Sequence, residues 1–148
     1  KISRAKGIDM HKVLRDMFLL VGILFSTTLF AGEIVWQKDI TAAFDKAQKE
    51  NKVVMVMVGG EHCKWCEKMK LKTLSDDSVS ERLEPYIMVK VMREDAEAVK
   101  YLPAINGVPT IFFLKADKKV LETVVGYYNI VDFAGFIDSV EKKVPLKK

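Results

Sequence analysis

At 148 residues, 49% of them apolar and with a mean hydropathy of +0.06, the chain has material for one compact domain and no room for a second. Its formal charge of +4 is lopsided, with +3 carried by residues 1–32 and only +1 by the rest. Beyond residue 32 lysines and glutamates are interspersed rather than gathered on one periodic face, so the composition describes a mixed solvated surface and gives no support to nucleic-acid binding.

Lys12 and Arg15 precede an apolar run from Met17 to Phe25, which continues through Ser26, Thr27 and Thr28 to Leu29, Phe30, Ala31 and Gly32. A basic flank, an apolar stretch and a small-residue exit read as a secretory signal, with cleavage placed after Ala31. The apolar stretch of about 15 residues falls short of the roughly 20 that span a bilayer as a helix, and an uncleaved N-terminal anchor is the alternative. The expected division is residues 1–9 upstream of a start at Met10, a signal or anchor over 10–32, and one domain over 33–148.

Ile40, Ala43, Phe44 and Ala47 recur at helical spacing, with Asp39 or Thr41 as N-cap and Asn51 as a stop. Val53 to Val58 is an uninterrupted apolar run closed by Gly59 and Gly60, the signature of a strand covered on both faces. A helix is expected from Cys63 to Leu74, with Trp65, Met69 and Leu71 or Lys72 interleaved, and a second from Asp77 to Leu83, ended by Pro85. Tyr86 to Met92 reads as a strand, and Glu94 to Leu102 as a short helix that runs into the loop from Pro103 to Gly107. Ile111–Leu114 and Val120–Val125 flank the turn Ala116 to Lys119, a hairpin signal closed by Gly126. Tyr127 and Tyr128 read as rim packing, and Val131, Phe133, Phe136, Ile137 and Val140 as the apolar stripe of a last helix after Asn129. The order describes an α/β domain, a central mixed sheet flanked by helices.

The two cysteines, Cys63 and Cys66, stand in the run Glu61-His62-Cys63-Lys64-Trp65-Cys66-Glu67. A loop this short is a poor staple, so the pair points to chemistry. Thiol–disulfide exchange needs two neighbouring sulfurs, one of them ionised near neutral pH. At a helix N-terminus Cys63 meets unpaired N–H groups and the positive end of the dipole, while Cys66 lies one turn inside. Cys63 is thus the expected nucleophile and Cys66 the resolving thiol, with cationic His62 and Lys64 favouring the thiolate and Glu61 and Glu67 opposing it. Zinc would need a fourth ligand beyond His62, Cys63 and Cys66. Haem attachment would need histidine where Glu67 stands. A structural disulfide remains open at this point.

The apolar strand Val53–Val58, the Cys63-Lys64-Trp65-Cys66 turn, Gly107-Val108-Pro109-Thr110 before Ile111–Leu114, and the hairpin ending at Val125-Gly126 together resemble the thioredoxin superfamily over residues 33–148. The resemblance implies a thioredoxin fold. It also implies that Pro109 is cis and lies against the cysteines, and that the backbone of Val108 pairs with substrate as an added strand. Trp65 is placed with these two on the substrate-facing rim. Two departures stand out. Lys64-Trp65 replaces the Gly-Pro of thioredoxins proper, and Met57 replaces their buried strand acid, leaving Lys90, the match of its neighbouring lysine, without a partner. The expectation is a periplasmic, monomeric thiol–disulfide oxidoreductase acting on protein disulfides without a cofactor or metal, a reductant recharged by a membrane electron donor. An oxidase or isomerase is the nearest alternative, and a binding module with a passive disulfide is the competing class.

Overall fold

The computed structural model describes residues 34–144. The expected signal or anchor over 10–32 lies outside them. Among the described residues, no helix is long and apolar enough to cross a membrane.

Five strands form one sheet: β1 (Trp36–Gln37), β2 (Val54–Gly59), β3 (Ile87–Met92), β4 (Thr110–Leu114) and β5 (Val120–Val125), in the spatial order β1-β3-β2-β4-β5. β3 runs parallel to β1 and β2, and β4 runs antiparallel to β2 and β5. The sheet is mixed, as the element order predicts. All six residues of β2 are buried or nearly so, because β2 sits in the middle and is covered on both faces.

The helices are α1 (Ile40–Glu50), α2 (Lys64–Met69), α3 (Asp77–Leu83), α4 (Ala96–Val99) and α5 (Ile130–Lys143), with a wide π turn over Lys70–Leu74 continuing α2. Asp39 caps α1, its carboxylate accepting the Ala42 N–H at 2.7 Å, and Asn51 ends it in the left-handed region at φ 51°. Ile40, Ala43, Phe44 and Ala47 pack with Val54, Val56, Val58, Val89 and Phe112 on one face of the sheet. On the other, Cys66, Met69, Leu74, Val79 and Leu83 meet Met55, Met57, Met88 and Phe113 together with Phe133, Ile137 and Val140 of α5. Arg82 ties α3 to α5, bonding Asp138 at 2.6 Å and Glu141 at 2.9 Å.

The structure departs from the sequence reading at three places. The helix from Cys63 widens after Met69, where the Ser75 N–H reaches the Lys70 carbonyl five residues back; burial of Cys66, Met69, Thr73 and Leu74 then turns Leu71 out to solvent. The helix expected over Glu94–Leu102 contracts to four residues, because Asp95 caps it and Pro103 disfavours helical geometry at Leu102. Val131 belongs to no apolar stripe, since it is 80% exposed on the first turn of α5 while Phe133 is fully enclosed.

These placements give opposite expectations for two α5 residues. Phe133→Ala should cost about 3–5 kcal/mol in denaturant unfolding, whereas Val131→Ala should leave the midpoint within about 0.5 kcal/mol of the parent. Comparable losses from the two would contradict the assigned face of α5.

Candidate active site

The last residues of β2 and the first of β4 are in register, Val58 opposite Thr110, so the loops beyond them lie at the same end of the sheet. One loop carries Cys63 and Cys66, and the other carries Val108 and Pro109. The Val108–Pro109 peptide bond is cis. This loop is closed locally by the Thr110 hydroxyl, which donates to the Gly107 carbonyl at 2.7 Å. The two loops touch, for a Cβ placed on Gly60 would lie 3.1 Å from Val108 Cγ2. The absence of a side chain at Gly60 therefore lets the segment before the cysteines pass close to the proline loop.

Cys63 and Cys66 are joined as a disulfide with their Cα atoms 5.2 Å apart. Cys63 is the N-cap of α2 and is partly exposed, and Cys66 is 4% exposed. The Cys66 N–H points at Cys63 Sγ at 3.1 Å, and the Cys66 and Glu67 N–H groups reach the Cys63 carbonyl at 3.1 and 3.2 Å. In the reduced state the same N–H and the helix end are in place to stabilise an anionic sulfur at Cys63. Cys66 faces the apolar side of Met57 and Met69, where an anion finds no such support. The two sulfurs are therefore inequivalent in both access and solvation.

Glu61, His62 and Lys64 are all exposed around Cys63. His62 takes the left-handed conformation, φ 53°, unusual for a residue with a side chain. Glu61 contributes through its backbone, its N–H donating to Glu94 Oε1 at 3.4 Å. Glu94 also accepts from Arg93 Nε at 3.1 Å, while the Arg93 N–H binds the Gly59 carbonyl at 2.9 Å, so the end of β3 braces the segment before Cys63. The Glu94 carboxyl is held below its usual range by its own backbone N–H first, then by Arg93 and the Glu61 N–H, against the effect of desolvation. Met57 lies opposite Lys90 in the β2–β3 ladder. A Cβ on Gly59 would stand 3.6 Å from Lys90 Cε and 4.0 Å from Cys66 Sγ, so the lysine stem lies along the face that holds Cys66.

Trp65, more than half exposed, borders a cleft of about 300 Å³ with Val108, Pro109, Gly126 and Tyr127. The structure thus brings together the three residues assigned to substrate contact, Trp65, Val108 and Pro109. It adds two that the sequence reading left aside. Tyr127, read as rim packing, forms a wall of the cleft with its ring 5.7 Å from that of Trp65. Lys68 lies over both rings, its Nζ 5.0 Å from the Trp65 centroid and 4.3 Å from the Tyr127 centroid. The signals for them were the i, i+3 spacing of Trp65 and Lys68 and the position of Tyr127 directly after the strand-ending Gly126. That glycine adopts φ +95°, and its N–H binds the Pro109 carbonyl at 2.8 Å. Among the described residues, no three His, Cys, Asp or Glu side chains gather as a metal site.

A mixed sheet with helices on both faces, carrying a Cys-x-x-Cys at a helix start opposite a cis-proline loop, defines a thioredoxin-like protein with a disulfide-capable pair. The chain belongs to the Thioredox_DsbH family, described as "Protein of unknown function, DUF255", whose model matches residues 29–131. It is 41% identical over 54 residues to spermatogenesis-associated protein 20 of Homo sapiens and to that of Mus musculus; each match covers 36% of this chain and 7% of the relative. The chain thus spans only a small part of those relatives' length. Among solved structures it is similar to a thioredoxin from Thermus thermophilus, with a TM-score of 0.64 and 25% identity, covering 75% of this chain and 90% of that one. A structure titled DsbH Oxidoreductase gives a TM-score of 0.60 at 18% identity, covering 83% and 94%. The reduced DsbD C-terminal domain of Neisseria meningitidis gives 0.57 at 23% identity, covering 70% and 92%.

Two measurements test the bracing of this site. Gly126→Ala should lose about 1–3 kcal/mol through backbone conformation alone, since a Cβ there meets nothing within 4 Å. An unchanged unfolding midpoint would contradict the assigned backbone. The lowered folded-state pKa of Glu94 means that its contribution is complete above the ordinary carboxylate range near 4.3 and is lost as pH falls through the lower folded value. The Glu61 amide should accordingly exchange faster in Glu94→Gln at neutral pH, and the parent should approach the variant only in acid. Equal protection of that amide at pH 7 would remove Glu94 from the site.

Proposed function

We propose that the protein is a thiol–disulfide oxidoreductase of protein disulfides, with Cys63 as nucleophile and Cys66 as resolving thiol. The observation that carries this reading is the inequivalence of the two sulfurs, one at a capped helix start on the surface and one 4% exposed beneath it. The 25% identity with a thioredoxin supports the same chemistry.

In the reduced protein the Cys63 thiolate attacks one sulfur of a substrate disulfide. The substrate S–S bond breaks, a substrate thiolate leaves and takes a proton from solvent, and a mixed disulfide forms on Cys63. Cys66 then gives up its proton to solvent and attacks Cys63 Sγ. This releases the second substrate thiolate and closes the Cys63–Cys66 bond. Two electrons have passed to the substrate, and an external dithiol must restore them. Val108 offers its backbone beside the cleft to an extended substrate segment.

The direction proposed is reduction. The 25% identity with a thioredoxin supports this direction, and the groups that stabilise a Cys63 thiolate act against it, because they favour the dithiol form. The basic and apolar pattern of residues 12–32 supports action outside the cytoplasm, the periplasm in a two-membrane cell. A membrane donor of reducing equivalents and a monomeric state complete the proposed reading.

With dithiothreitol as donor, the parent should reduce insulin, Cys63→Ser should be inactive, and Cys66→Ser should accumulate a mixed disulfide visible without reductant on a gel. A parent without turnover would sink the enzymatic reading. Equilibrium with glutathione should place the Cys63–Cys66 couple nearer the roughly −270 mV of thioredoxin than the roughly −120 mV of a dedicated oxidant. A value at the oxidising end would reverse the direction proposed.

A further inference from the structure

The exchange chemistry uses the two cysteine sulfurs and leaves the thioether beside them without a role. Among the described residues the methionines are Met55, Met57, Met69, Met88 and Met92. The first four are buried in the cluster that holds Cys66, and none of them belongs to the cluster on the α1 face. Packing accounts for those four, since methionine fills irregular cores well. Met92 differs. It is only half-buried, it ends β3, and it stands opposite Gly59 in the β2–β3 ladder.

Gly59 leaves an opening there. A Cβ on it would make only ordinary contacts, 3.6 Å from Met92 Sδ, 3.6 Å from Lys90 Cε and 4.0 Å from Cys66 Sγ. The glycine thus keeps a cradle about one methyl group wide between a thioether, a cysteine sulfur and the stem of a lysine. Cys63 Sγ adjoins Cys66 Sγ through the disulfide bond, and reduction would free both sulfurs beside the thioether. Two thiolates and a thioether are the donors that select a soft monovalent cation, whereas zinc would lack its fourth ligand among them. Two thiolates on one monovalent cation leave a single negative charge, and a charge taken out of water calls for a partner. Lys90 is the only charged side chain of β2, β3 and β4, its stem borders the cradle, and among the described residues it forms no ion pair.

We propose that the dithiol form binds copper(I) through Cys63 Sγ, Cys66 Sγ and Met92 Sδ, with Gly59 as the opening that admits the ion. Binding exchanges the two thiol protons, released to solvent, for one copper(I) ion. No electron moves. In the disulfide form the cysteine sulfurs are bonded to each other, so oxidation closes the site and reduction opens it. This binding goes beyond the exchange reaction and does not depend on turnover of protein disulfides.

The test uses the full chain, reduced, freed of reductant, kept anaerobic and titrated with copper(I) held by bathocuproine disulfonate. The dithiol chain should take one copper(I) from the chelator and the disulfide chain none, and excess zinc should not displace it. Copper X-ray absorption should show three sulfur neighbours in the parent and two in Met92→Leu, whose affinity should fall about tenfold or more. Gly59→Ala, which puts a methyl group into the cradle, should lose the third neighbour as well. Met55→Leu changes the same apolar layer away from Gly59 and should match the parent. Unfolding midpoints check that each variant is folded. Copper(I) left wholly with the chelator overturns the inference, as does a parent with two sulfur neighbours or a Met92→Leu that binds as tightly as the parent. A loss of affinity in His62→Ala but not in Met92→Leu would give the third position to an imidazole and overturn it too. Insulin reduction is read separately, so a chain that reduces insulin without holding copper(I) sinks this inference and leaves the exchange reading standing.

Discussion

The site depends on the pairing of β2 with β4. Because these strands are antiparallel, the end of β2 and the start of β4 meet at one end of the sheet, and the register Val58 to Thr110 fixes how far each following or preceding loop projects. The parallel pairing of β3 with β2 brings Arg93 and Glu94 to the same end, and the antiparallel pairing of β5 with β4 brings Gly126 and Tyr127 there. A slip of one residue in β2 would turn Met57 to the α1 face and Val58 to the face of Cys66, so the apolar cover on both sides of the sheet also protects the active-site geometry. Packing and chemistry are therefore set by the same ladder.

Around the disulfide the chain supplies few charges from within. Met57 fills the place under Cys66 with a thioether, and the charged groups of the site reach it from the rim, through Glu94, Arg93, Lys68 and the exposed Glu61, His62 and Lys64. The solvation of the two sulfurs thus differs for reasons of backbone and burial. The N–H of Cys66 is aimed at Cys63 Sγ by helix geometry, and Cys66 is enclosed by helix periodicity.

Much of this was legible in the sequence. The six-residue apolar run closed by Gly59 and Gly60 read as a strand covered twice, and the spacing from Cys63 onward read as a helix starting at the cysteines. The residues around Pro109 were readable through their resemblance to a known superfamily. What escaped was tertiary in origin. The i, i+3 spacing sets Lys68 beside Trp65, but nothing local brings in Tyr127, whose ring comes from 62 positions further along the chain. Val131 is apolar at a helical spacing, yet α5 is rotated by its contacts through Phe133, Ile137 and Val140 so that Val131 faces water. The widening at Lys70–Leu74 followed from seating Thr73, whose hydroxyl donates to the Tyr128 carbonyl at 2.7 Å, a contact that no local periodicity encodes.

Both cysteines sit within one turn of a single element, and this has a consequence for the life of the molecule. A bridge that closes so short a loop removes little freedom from the unfolded chain, in contrast to one that joins distant strands. The domain is held instead by its two layers of apolar contacts, which involve Cys66 only as one packed side chain among many. Opening or closing the Cys63–Cys66 bond would therefore leave the architecture in place.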